Sequence, residues 1–258
     1  SVLNMPIVAA FPWTTPDGIS TPVVGREAYL NALKEVEARI TDPAEWMYTW
    51  GYHDLYHGAL TKQDLDAIST TRPIAVWQRS CHEWYVNSAM LKALGVSKSM
   101  AAKNPFTDFD KGHFWETGQY VIGGVVKRLA DPAAIAKGLE KMSIVLHKGG
   151  LTTIAEQGFP TVSWPLEFPA ISAELAKADI PYRFGIVINA MTLMAKNGND
   201  DVRALAEADS LLATVNTPNI FVTKHAKYFN DGSIFGAMAQ MSEPYLDGHS
   251  GEWMIPPD

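Results

Sequence analysis

Apolar and polar positions alternate along this chain with two different periods, and the change from one period to the other marks out its elements. From Pro132 onward the order is regular. Asp131 stands where a helix cap belongs and Pro132 at the first helical position, while Ile135, Leu139, Met142 and Leu146 recur at helical spacing until Gly149-Gly150. "LTTIAEQG" then reads as a strand, a helix is predicted roughly over Ala170 to Ala178, and "YRFGIVINA", Tyr182 to Ala190, reads as an apolar strand. After the turn "KNGNDD" a third helix is predicted with Val202, Leu205, Asp209 and Leu212 on one line, followed by the strand "NIFVTKHAKYF". Strands separated by helices of this length are βα units of a parallel sheet. A (β/α)8 barrel and a doubly wound sheet both fit this pattern.

The N-terminal part follows a different plan. A helix is predicted near Arg26 to Ile40, a strand in "EWMYTWGY", a helix opened by the capping box Thr61-x-x-Asp64, a strand in "RPIAVWQRS" and a helix near Asn87 to Leu94. Residues 96–118 show little periodicity and read as a long functional or linking loop. The expected division is an α/β region over residues 1–118 and a (β/α) region over 119–258, with no internal repeat.

Composition narrows the function. The chain has 258 residues, 47% of them hydrophobic, enough for a sizeable core. With 21 Lys plus Arg against 28 Asp plus Glu, the net charge is -7 and no basic run occurs, so neither nucleic acid nor an anionic membrane is an expected partner. Cys81 is the single cysteine and no N-x-S/T sequon is present, which makes a reducing cytoplasm the expected location. No apolar run reaches the roughly 18 residues of a membrane span.

Several motifs are tested by their spacing. In "HDLYH", His53 and His57 would share one helix face and chelate zinc, but the segment lies between Gly51 and Gly58, where a helix is not expected. Hydrogen-bonding loop histidines are the favoured reading. "HEWYV" begins like a zincin helix at His82, but Val86 stands where the second histidine must be. No G-x-G-x-x-G, Walker A or G-x-S-x-G pattern occurs. Glu156 and Glu167 are a candidate carboxylate pair for glycoside hydrolysis, Glu156 falling at the end of a strand. Among eight tryptophans, several in the N-terminal part (Trp13, Trp46, Trp50, Trp77, Trp84) are candidates for core or for an apolar pocket.

The stretch "KHAKYFNDGS", Lys224 to Ser233, is unusually charged for a strand. Period-2 alternation puts His225, Lys227 and Phe229 on one face and Lys224, Ala226 and Tyr228 on the other. A lysine buried at the C-terminal end of a barrel strand is pushed toward its neutral amine, which attacks carbonyls or carbon dioxide. Three readings follow: a Schiff-base lysine, a carboxylated lysine that ligates metal, or a surface lysine on a frayed strand end.

"KYFNDGS" with the following "EPYLDGHSGEW", "GLTTIAEQG", "WGYHDLYHGALTKQDLDAIS", "RPIAVWQRSCHEWYVNSAMLKALGV" and "WETG" together resemble amidohydrolase family 3, metal-dependent hydrolases that include N-substituted formamide deformylases. The resemblance implies a partial (β/α)8 TIM-type barrel, about strands 2 to 4, preceded by an α/β insertion domain. Of the family's metal ligands only the fourth-strand lysine has a counterpart, Lys227; the H-x-H, the later histidine strands and the closing aspartate strand do not. The chain is therefore expected to be an interior piece of a longer hydrolase, associating with itself or with the rest of the barrel. The implied activity is metal-assisted hydrolysis of a C–N bond in an amide-like small molecule. Carboxylated Lys227 would bridge two divalent ions, zinc above all, and an aspartate outside this chain would move the proton. His82, Trp50, Asn87 and Glu156 are the implied substrate-binding residues. One ligand cannot hold a binuclear centre, so this chain alone is expected to carry no full metal complement. The alternatives are a Schiff-base lyase using Lys227 and a non-catalytic binding module working through its tryptophan-rich part.

Overall fold

The computed structural model describes residues 2–255, which form two units. One comprises residues 2–129 together with 230–255, the other residues 130–229.

In the first unit a short hairpin, β1 (Thr14–Thr15) and β2 (Gly18–Ile19), precedes a mixed five-stranded sheet. Its strands are β3 (Met47–Tyr52), β4 (Ile74–Gln78), β5 (Glu83–Val86), β6 (Thr107–Asp108) and β7 (His113–Trp115), in the order β3-β4-β5-β7-β6. Only β3 and β4 run parallel. The helix Arg26–Arg39 presents Tyr29, Leu33 and Val36, spaced four and three residues apart, and packs them with Met47, Ile74 and Val76 into one core. Ala75, Trp84, Val86, Phe114 and Val125 form a second core. Alternate residues of β4 thus feed two cores, which explains the unbroken apolar run "IAVW".

Local signals held where they were strong. Thr61 and Asp64 cap the helix Lys62–Asp66 reciprocally, and Asn87 caps Ser88–Leu94. Residues 96–118 depart from the loop expectation: they contain the helix Lys98–Ala101, β6, β7 and the start of a 3-10 segment, Glu116–Ile122. Strands of two or three residues are too short to show a period, and β7 exists through its register with β5, Trp84 opposite Phe114 and Tyr85 opposite His113. "HDLYH" also differs, since Asp54–His57 is a single helical turn capped by the His53 side chain.

The second unit is a three-stranded parallel sheet in the order β10-β9-β8, built from β8 (Thr153–Phe159), β9 (Arg183–Asn189) and β10 (Ile220–Lys227). Asp131 caps the helix Pro132–Lys148 through the N–H groups of Ala133 and Ala134, as its position predicts. The next helix begins at Trp164 rather than Ala170 and ends at Leu175, carrying Pro169 within it. A further helix, Ala190–Lys196, follows β9 directly. The helix Asp201–Thr214 buries a different face from the one expected: Ala204, Ala208, Leu211 and Leu212 pack on the core, while Val202 and Leu205 are 78% and 64% exposed.

Of the partial barrel expected, the mixed α/β plan and a run of three parallel strands separated by helices are present. These strands form an open sheet with β8 and β10 at its edges, and no barrel closes among the described residues. The unit boundary lies at residues 129/130 instead of 118/119, and residues 230–255 return to the first unit. A long-range bond fixes that return, the Ser233 N–H donating to Glu116 Oε1 at 3.2 Å. Among the described residues no helix is long and apolar enough to cross a membrane.

Candidate functional site

Lys227 ends β10, opposite Asn189 at the end of β9. It is half-buried, with Nζ 4.8 Å from the centre of the Phe229 ring, and a β-carbon on Gly158 would sit 3.8 Å from its Cγ. At that distance the ring face can hold the side-chain nitrogen in place. His225 does not share this environment: a register shift between Val222 and Ala226 breaks the simple alternation, and His225 lines an apolar groove of about 840 Å³ with Lys224, Ala226 and Tyr228.

Glu156 and Glu167, the expected carboxylate pair, are close enough for the Glu167 charge to act on Glu156. Glu167 is spent on backbone, its oxygens accepting from the N–H groups of Thr161, Val162 and Ser163 at 3.2, 2.7 and 2.9 Å. It thereby caps the helix that Ser163 leaves uncapped. Glu156 lies on β8 with an exposed side chain, yet surrounding protein desolvates its carboxyl and the Glu167 charge adds to this, so its pKa is raised. An acid with a raised folded pKa stabilises the fold below its unfolded pKa, and that contribution is lost as pH rises through the folded value. Glu156→Gln should therefore melt above the wild type at pH 8 and lose that advantage at pH 4, as read by thermal denaturation at both pH values.

The expected substrate residues of the first unit separate into different roles. Asn87 is fully buried and all four of its hydrogen-bonding sites are used: Oδ1 accepts from Ile74 N–H (3.0 Å) and Met90 N–H (2.9 Å), and Nδ2 donates to the carbonyls of Ser69 (2.8 Å) and Arg72 (2.9 Å). Nothing is left for a substrate. Trp50 is 4% exposed and packs edge-on against Trp13 at 4.7 Å, which makes it core first. His82 is the candidate that stays reachable. Its side chain is 25% exposed, and Nδ1 lies 2.9 Å from Oε2 of Glu116, whose side chain is 1% exposed.

Two buried carboxylates with histidine partners were not foreseen. Glu83 Oε2 lies 2.7 Å from His113 Nε2, and His113 stacks between Tyr85 at 4.2 Å and Trp115 at 4.6 Å. Glu116 has the left-handed backbone angle φ 42°, unusual for a residue with a side chain, and joins His82 to Ser233. The pairings could not be read from order along the chain because each joins residues about thirty positions apart.

Metal chelation by "HDLYH" is ruled out by bonding. His57 Nδ1 accepts from His53 N–H at 3.0 Å, so Nε2 carries the proton donated to Val23 O at 2.9 Å. Burial lowers its pKa and keeps the ring neutral. No group of three or more His, Cys, Asp or Glu able to hold a metal ion exists among the described residues. The described residues therefore do not fit a self-contained binuclear centre.

No protein-family model and no curated protein matches the chain. Its fold is similar to that of two solved structures. An uncharacterized metal-dependent hydrolase from Pyrococcus horikoshii OT3 aligns with a TM-score of 0.57 and 16% identity, over 98% of this chain and 45% of that one. An uncharacterized metal-dependent hydrolase from Pyrococcus furiosus gives 0.51 and 17%, over 98% and 46%. The chain thus spans less than half the length of either neighbour.

Proposed function

We propose that this chain contributes to a metal-dependent hydrolase acting on the C–N bonds of small amide-like molecules. The observation that supports this is the likeness of almost the whole chain to the two Pyrococcus hydrolases, together with Lys227 at the carboxyl end of a parallel strand, the end at which α/β folds keep their chemistry. In this reading Lys227 is the one group the chain offers a metal, and His82, oriented by Glu116, is its polar contact to substrate. A metal, when bound, would supply an activated water and polarise the scissile carbonyl. The chain's own residues do not assemble its coordination sphere, so no bond-making step is assigned to them.

The metal content of the purified chain measures this directly. Well under one equivalent of zinc is expected, with negligible turnover of an N-substituted formamide; stoichiometric zinc with turnover would overturn the view that co-ligands are missing. A second assay addresses the lyase alternative. On the hydrolase reading, borohydride with pyruvate should leave the intact mass unchanged. A trapped adduct absent from Lys227→Ala would replace the hydrolase reading with Schiff-base chemistry.

A further inference from the structure

Arg79 follows β4 directly and is half-buried, yet among the described residues its guanidinium has no carboxylate and no hydrogen-bond acceptor. This is unusual in a chain whose acids outnumber its bases, and whose other enclosed arginine, Arg72, is tied to a carboxylate and three carbonyls. What surrounds Arg79 instead is aromatic. Its Cζ lies 4.8 Å from the Phe235 ring centre, 5.2 Å from Phe11 and 5.8 Å from Trp13. Ring faces hold a guanidinium in place but leave the in-plane N–H fork unused.

The backbone beneath it is fixed. Arg79 N–H donates to Tyr52 O at 2.8 Å, Cys81 N–H to Gln78 O at 2.9 Å, Ser80 N–H to Gln78 Oε1 at 2.5 Å and His82 N–H to Ser80 Oγ at 3.1 Å. Cys81 is held at φ 67°, a left-handed angle that a non-glycine residue adopts under constraint. The cation is thus preorganised at the carboxyl ends of the two parallel strands β3 and β4. The indole Nε1 of Trp13 is enclosed and without an acceptor, as are those of Trp50, Trp77, Trp84 and Trp115.

We propose that Arg79 anchors a binding site for a small carboxylate carried on an apolar or aromatic body. The planar fork matches a carboxylate's two oxygens, and the rings of Phe11, Trp13 and Phe235 around it match the apolar body. Phosphate fits less well, because a tetrahedral, strongly hydrated anion gains nothing from three apolar walls. The inference rests on the hydrolase reading only in calling the ligand a substrate, which would then bear an acid group away from its scissile bond.

Titration with benzoate, followed by the Trp13 indole N–H resonance and by calorimetry, tests the site. Saturable binding is expected, with benzamide and inorganic phosphate at least about tenfold weaker. Arg79→Met should weaken benzoate by about thirtyfold or more, and Arg79→Lys, which keeps the charge without the fork, by an intermediate factor. Circular dichroism and urea midpoints establish that each variant is folded; should Arg79→Met fail to fold, the Arg79→Lys and Trp13→Phe affinities decide. Absence of saturable benzoate binding, equal binding of benzamide or phosphate, or folded Arg79 variants with wild-type affinity would overturn the site and leave Arg79 as a clasp between aromatic side chains. Benzoate binding alongside a borohydride-trapped adduct that is absent from Lys227→Ala would preserve the site while removing the hydrolase reading.

Discussion

Asn87→Ala should lower the unfolding free energy by about 2–4 kcal/mol, read as a shift in the urea midpoint. The side chain is 0% exposed and ties three chain segments together: the start of β4 through Ile74 N–H, the first turn of Ser88–Leu94 through Met90 N–H, and the turn at 69–72 through two carbonyls. Alanine removes a helix cap and leaves buried donors and acceptors without partners or water, which is the costly kind of hydrogen-bond loss. Asn87→Asp should do no better. The isosteric carboxylate can still cap the helix, but it confronts the carbonyls of Ser69 and Arg72 with oxygen instead of an amide donor and buries a charge. A role in substrate contact makes the opposite prediction, unchanged stability with impaired binding, and that outcome would restore Asn87 to the pocket.

Arg72→Ala should be more damaging, about 3–5 kcal/mol by the same measurement. Arg72 is 9% exposed and spends its fork on Glu37 Oε1 at 3.1 Å and on the carbonyls of Asp42, Glu45 and Ile40 at 2.8, 2.6 and 3.0 Å. Those carbonyls lie in the connection between the helix Arg26–Arg39 and β3, so removing the guanidinium strips acceptors at the point where helix and sheet are joined. Lysine should recover only part of the loss, since one ammonium cannot reach four acceptors spread around a planar fork. Because the Arg72 carbonyl accepts from Asn87 Nδ2, the two sites share a network. The double variant should lose measurably less than the sum of the single losses. Full additivity would mean that the two side chains support the fold independently.

The contrast between Arg72 and Arg79 shows how far sequence could carry the site. Both follow or precede β4, and neither has a chain neighbour that announces its partner. Arg72 is satisfied by residues 27 to 35 positions away, whereas Arg79 meets only rings. His82 could be singled out from its motif, but Glu116, the carboxylate that orients it, lies 34 residues on in a segment that reads as a loop. Lys227 was legible as a charged residue at a strand end. That its amine rests on the Phe229 ring was not.

The sequence by itself determined the elements whose signals are local. Helix-spaced Tyr29, Leu33 and Val36, the caps at Thr61 and Asp131, and the apolar runs of β4 and β9 each act within a few residues, where backbone sterics and capping bonds decide the outcome. Only the tertiary structure decided that β5 and β7 are strands, that Ala204 and not Val202 faces the core, and that residues 230–255 rejoin the first unit. It also decided that Asn87 is structural. Each of these depends on contacts between distant segments, because a short strand or an ambiguous helix face takes its identity from the surface that desolvates it.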